Sequence, residues 1–79
     1  MNPLQTFGRN CRLLRRVQDL PMLELAGRAK LSRTTIYKIE QGEGNPRLNT
    51  LREISVSLGV SLSDMFVSID LNRHTKQGV

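Results

Sequence analysis

The most constraining stretch of this 79-residue chain runs from Pro21 to Gly42, where signals that start and stop helices crowd together. Pro21 has no backbone N–H with which to continue a preceding helix, but it suits the start of a following one. Met22 to Ala29 then predict a short helix whose inward side carries Met22 or Leu23, Leu25, Ala26 and Ala29. Ala26 is small enough to let another helix approach closely. A tight turn through Lys30 and Leu31 comes next. Ser32 is a good N-cap for a further helix, Arg33 to Gln41, because its side-chain oxygen can accept from an N–H of the first turn. Ile36 and Ile39 of that helix face inward, which leaves Arg33, Thr34, Tyr37 and Lys38 elsewhere on its surface.

The flanking sequence predicts more helix. Asn2 can cap, Pro3 suits a first helical position, and Leu4, Phe7, Cys11 and Leu14 recur on one face, with Arg9, Arg12 and Arg16 on the solvent side. This pattern breaks near Asp19 and Leu20. After a loop of Gly42, Gly44, Asn45 and Pro46, the residues Leu48, Leu51, Ile54 and Leu58 mark a fourth helix, with Gly59 as its C-cap. Ser61 and Asp64 are spaced as in a capping box and predict a short fifth helix through Met65 and Phe66. The expected fold is all-α, a compact five-helix domain over residues 3–67. Val67, Ile69 and Leu71 then alternate with polar residues, as in a short strand against a partner chain, and Asn72 to Val79 reads as a frayed tail.

Charge narrows the partners. Twelve Lys and Arg against seven Asp and Glu give a formal net charge of +5, a field that attracts polyanions, although such a surplus also serves solubility alone. Two Phe, one Tyr and no Trp leave few platforms for stacking single-stranded bases, which favours duplex nucleic acid. Cys11 is the single cysteine, so no internal disulfide forms, and with no cysteine or histidine cluster no metal site is expected. No apolar run reaches the length of a signal peptide or a membrane span. The expectation is a cytoplasmic protein without membrane contact. His74 lies in the tail far from Cys11 in sequence, and paired carboxylates are lacking, so no catalytic site and no cofactor are expected.

Two short helices at a tight turn, the second exposing polar side chains at its N-terminal end, form a unit suited to the major groove of DNA. Here that unit is residues 22–41. From about Phe7 to Phe66 the chain resembles the lambda-repressor and Cro type helix-turn-helix family, also called the XRE family. The resemblance is carried by LELAGRAKLSRTTIYKIEQGEGNPRLNTL and LGVSLSDMF, with matches at Leu25, Ala26, Ala29, Ser32, Ile36, Ile39, Glu40, Gly42, Pro46, Leu51, Leu58 and Gly59. It implies base contacts by Arg33, Thr34, Tyr37 and Lys38. The chemistry fits, since Arg33 can donate two parallel bonds to guanine O6 and N7, Lys38 can reach the same acceptors, and the Thr34 methyl can touch a thymine methyl. It further implies phosphate contacts at Met22, Asn45 and Arg47, and a structural ion pair between Arg15 and Glu40. The chain departs from the family in having Pro21 and Met22 where Ser or Thr followed by Gln is usual, and Lys30 where glycine is common.

The resemblance implies a bacterial or phage-encoded, nucleoid-associated transcriptional regulator of the repressor kind, which binds a palindromic operator as a homodimer with half-sites roughly 34 Å apart. The expected dimer surface is the fifth helix together with the residues after it, at Leu62, Met65, Phe66 and Ile69, although Leu62 and Phe66 could instead close the monomer core. Restriction–modification controllers, phage-type repressors and antitoxins all belong to this family. The alternative reading is an antitoxin-like protein that binds a partner toxin and autoregulates its operon.

Overall fold

The computed structural model describes residues 1–69, so Leu71, His74 and the tail from Asn72 to Val79 lie outside the described residues. Four α-helices occur in order: α1 Pro3–Val17, α2 Met22–Ala29, α3 Arg33–Glu40 and α4 Leu48–Leu58. The starts have recognisable chemistry. Asn2 and Gln5 form a reciprocal capping box at α1, with the Asn2 side chain accepting from Gln5 N–H at 2.8 Å and the Gln5 side chain accepting from Asn2 N–H at 3.0 Å. The Ser32 hydroxyl accepts from Thr35 N–H at 3.1 Å to begin α3. No side chain caps α2 or α4, whose N-cap positions are Pro21 and Arg47.

All four helices end on a residue of positive φ, after which the next N–H reaches back to an orphan carbonyl of the last turn. The turning residues are Asp19 (φ 52°), Lys30 (58°), Gly42 (72°) and Gly59 (80°). The closing bonds run from Leu20 to Arg15, Leu31 to Ala26, Glu43 to Lys38 and Val60 to Ser55, at 2.8, 2.8, 2.9 and 3.1 Å. The turn at Lys30 between α2 and α3 is therefore left-handed, as its place in the motif requires, and lacks the glycine that adopts this conformation without steric cost.

Inside, Phe7, Cys11, Leu20, Leu25, Ala26, Ala29, Ile36, Ile39, Leu51, Ile54, Leu58 and Met65 form one core. Each large apolar side chain among them contributes about 1.5–3 kcal/mol through burial. α1 packs against α3, α4 and the segment after α4, while α2 lies on α3 and α4. Gly8 lets α1 approach the end of α3 closely, since a Cβ there would overlap the Ile39 carbonyl oxygen. The end of α1 is tied to the end of α4 by the Gln18 side-chain amide, which donates to Leu58 O at 2.8 Å.

The expected short fifth helix takes the form of a single 3-10 turn, Ser63–Phe66, so the α-helices of the described residues number four, not five. Ser61 Oγ accepts from Asp64 N–H at 3.1 Å, one half of the capping box, but the turn then closes through Met65 N–H to Leu62 O and Val67 N–H to Asp64 O. The chain just beyond this turn is held by Asn10, fully buried on α1. In an α-helix Ile69 N–H would donate to Met65 O. Here the Asn10 Nδ2 donates to Met65 O at 2.9 Å and to Val67 O at 2.8 Å, while its Oδ1 accepts from Ile69 N–H at 3.3 Å. The same clamp overturns the placement of Met65 on an outer dimer surface: its side chain is wholly buried in the core. Leu62 and Phe66 are half-buried against that core, the Phe66 ring lying 5.4 Å from that of Phe7 in a tilted pair.

Candidate nucleic-acid interface

α3 is short, and its two sides differ sharply. Ile36, Ile39 and Glu40 are buried, whereas Arg33, Thr34, Tyr37 and Lys38 are exposed. Arg33 and Tyr37 stand one turn apart, as do Thr34 and Lys38, so the four form two adjacent rows on the face turned from the core. Tyr37 is 48% exposed, an aromatic ring left at the surface of a helix whose other large apolar residues are inside. Beside this face, Lys38 and Asn45 line a shallow groove between α3 and the following loop. Arg47 is exposed at the start of α4 and shares a second groove with Lys30 and Asn49.

Met22 is placed differently from the exposed residues. Its side chain packs against the core, and no side chain caps the first-turn N–H groups of α2. Such groups carry a partial positive charge and favour anions without a charged side chain. Arg9, Arg12 and Arg16 are exposed along α1, and Arg9 Nη1 donates to Ile69 O at 3.5 Å.

The face is held in place from behind. Arg15 of α1 grips Glu40 at the end of α3 in two parallel bonds, Nε to Oε2 at 2.7 Å and Nη2 to Oε1 at 3.0 Å. Its Nη1 also donates to Leu20 O at 3.2 Å, in the link before α2. One guanidinium thus joins α1, the entry to α2 and the exit of α3. The Glu40 side chain is 1% exposed, and removing either partner would strand a charge away from water. Hydrogen bonding to Glu40 pushes the Arg15 pKa above its ordinary value. Cys11, whose Sγ lies 3.7 Å from Glu40 Oε2, has its thiol pushed up, first by burial and then by the neighbouring carboxylate.

Sequence reasoning missed Asn10 and Gly8. A polar residue three positions from Phe7 on an inward helix face and a glycine in mid-helix were the available signals, and both need a partner element to be interpreted. Among the described residues no group of His, Cys, Asp and Glu is arranged to hold a metal, and no helix is long and apolar enough to cross a membrane.

Comparison with known proteins agrees with this geometry. The family model described as helix-turn-helix matches residues 12–65. The control protein C.MunI from Mycoplasma sp is 37% identical over 65 residues, covering 81% of this chain and 88% of its own. The immunity repressor protein of Bacillus phage phi105 is 34% identical over 58 residues, covering 73% of this chain. The match spans only 40% of that repressor's length. Among solved structures, the restriction-modification controller protein C.AhdI from Aeromonas hydrophila superposes with a TM-score of 0.75 at 27% identity, covering 80% of this chain and 96% of its own. A hypothetical transcription factor, NHTF from Neisseria, shares the fold with a TM-score of 0.80 at 22% identity, over 96% of this chain and 85% of its own. A buried side of α3 packed on α1 and α2, an exposed polar side, and a family match across the whole unit lead to one conclusion: the chain belongs to the XRE-type helix-turn-helix family of DNA-binding regulators, which is not a family of enzymes.

Proposed function

We propose that this protein represses transcription in the cytoplasm of a bacterium by binding a palindromic operator as a two-fold dimer, one α3 in each of two successive major grooves. The observation that carries the reading is the exposed double row of Arg33, Thr34, Tyr37 and Lys38 on a helix locked by Arg15 and Glu40. Arg33 reads guanine, Thr34 contacts a thymine methyl, and Lys38 and Tyr37 read the next base pairs along the groove. The N–H groups at Met22, the Asn45 loop and the Arg47 side chain meet phosphates on either side and set the register. The likeness to controller proteins and to a phage repressor, each a regulator by its name, supports this reading.

Selection of bound duplexes from a random pool at physiological salt, with sequencing of the survivors, tests it. Enrichment of a G-containing palindrome is the expected result. Salt-sensitive binding with no enriched sequence would overturn the operator reading and shift weight to a protein partner such as a toxin.

A further inference from the structure

The turn between α2 and α3 holds a residue that its own conformation disfavours. Lys30 sits at φ 58° and ψ 44°, a left-handed setting in which a Cβ is crowded and glycine is not. Strain of this kind clusters where a residue serves function. The fold makes no use of this side chain. The Lys30 backbone N–H closes α2 on Gly27 O at 3.3 Å, but its exposed ammonium makes no hydrogen bond or ion pair among the described residues. It lines a groove where the turn meets the start of α4, together with Arg47 and Asn49. Arg47 is likewise exposed and makes no ion pair among the described residues. The one carboxylate among the lining residues, Glu53, already lies 3.5 Å from Arg52 Nη1. Two unpaired cations and a side-chain amide make this lining suited to an anion.

The place of the groove selects which anion. Lys30 is two residues from Ser32, the N-cap of α3, and Arg33 and Thr34 are exposed on the first turn of that helix. A duplex with base edges against Arg33 and Thr34 brings the rim of its major groove, which is sugar and phosphate, alongside the turn leading into the helix. We propose that Lys30 contacts a backbone phosphate of the bound duplex, next to the phosphate held by Arg47, and that the left-handed turn carries lysine for this contact. The inference rests on the DNA-binding reading above and adds a contact to its footprint. Pro21 and Met22 offer no side-chain donor at the start of α2. Charge at the other end of the same helix takes over part of the anchoring, at the expense of a relaxed turn.

The test uses the full chain and the duplex selected as above. Lys30→Gln keeps a Cβ in the turn and removes only the charge, so its melting midpoint should match that of the wild type. Its plot of log K against log salt should be shallower by about 0.9 on operator and random duplex alike, with binding about fivefold weaker at physiological salt. Arg28→Gln removes the same charge from an exposed ion pair with Glu24 on α2 and should leave the slope unchanged. Lys30→Gly relaxes the turn and should melt higher, yet bind as weakly as Lys30→Gln. Replacing backbone phosphates one at a time with neutral methylphosphonates should reveal one position at which the wild type and Lys30→Gln bind equally, adjacent to the position that silences Arg47→Ala. A wild-type slope for Lys30→Gln, an equal change with Arg28→Gln, wild-type binding by Lys30→Gly, or the lack of a silencing phosphate overturns the contact and leaves the reading of α3 intact. If no duplex is selected at all, the reading of α3 falls and the phosphate contact falls with it.

Discussion

Asn10 shows how much one buried side chain can decide. Its amide satisfies three backbone groups, and without it Met65 O and Val67 O lose their donor while Ile69 N–H loses its acceptor. Stranding a buried polar group costs about 1–3 kcal/mol. Asn10→Leu is therefore expected to lower stability by about that amount in urea unfolding, and equal stability would show that the segment re-pairs with water. In sequence this residue looks like a polar interruption of an apolar face, because nothing local announces that the chain returns 55 residues later to meet it. Cys11 is legible as core, but its electrostatic setting beside Glu40 is not. Its thiol pKa is raised by burial, so the folded state holds the proton after the unfolded chain has released it. Below about pH 8.5 both states are protonated and the group adds no pH dependence, whereas above it stability falls by up to about 1.4 kcal/mol per pH unit. Cys11→Ala should remove that share of the alkaline slope when the two stability-versus-pH curves are subtracted, and parallel curves would exclude a buried neutral thiol.

Among the elements, helix starts are easier to read than helix ends. Asn2 and Ser32 announce themselves by side-chain chemistry, and both make the expected bonds. Gly59 is equally plain, but Asp19 ends α1 in the left-handed region without any glycine to signal it. The short segment after α4 is a 3-10 turn whose following residues bond to Asn10 of α1, a partner that its own residues do not announce. Lys30 is the informative case, because its conformation is inferred from the place of the turn rather than from its own residue type. With φ 58° and ψ 44° it sits where a Cβ is disfavoured by roughly 1 kcal/mol. Lys30→Gly should accordingly raise stability by a few tenths up to about 1 kcal/mol, offset in part by the greater freedom of glycine in the unfolded chain. A fall in the melting midpoint would mean that the Lys30 side chain contributes a contact larger than its backbone strain.

At the scale of the whole molecule, the proposed function assigns one scaffold two kinds of DNA contact that thermodynamics can separate. In that proposal the exposed residues of α3 meet base edges, while the exposed Arg47 and the uncapped start of α2 meet phosphates. Phosphate contacts release counterions and are indifferent to sequence, whereas base contacts act through discrimination. Arg33→Ala is thus expected to cost about 1–3 kcal/mol on the selected operator and far less on random duplex, and to relax preference at one base pair. Arg47→Ala should weaken both duplexes alike and make the plot of log K against log salt shallower by about 0.9. Titrating both variants on both duplexes at several salt concentrations separates the slope, which counts phosphates, from the operator preference, which counts base contacts. Loss of operator preference with Arg47→Ala, or equal losses on both duplexes with Arg33→Ala, would reverse the assignment of roles and place base reading on the loop and α4 instead of on α3.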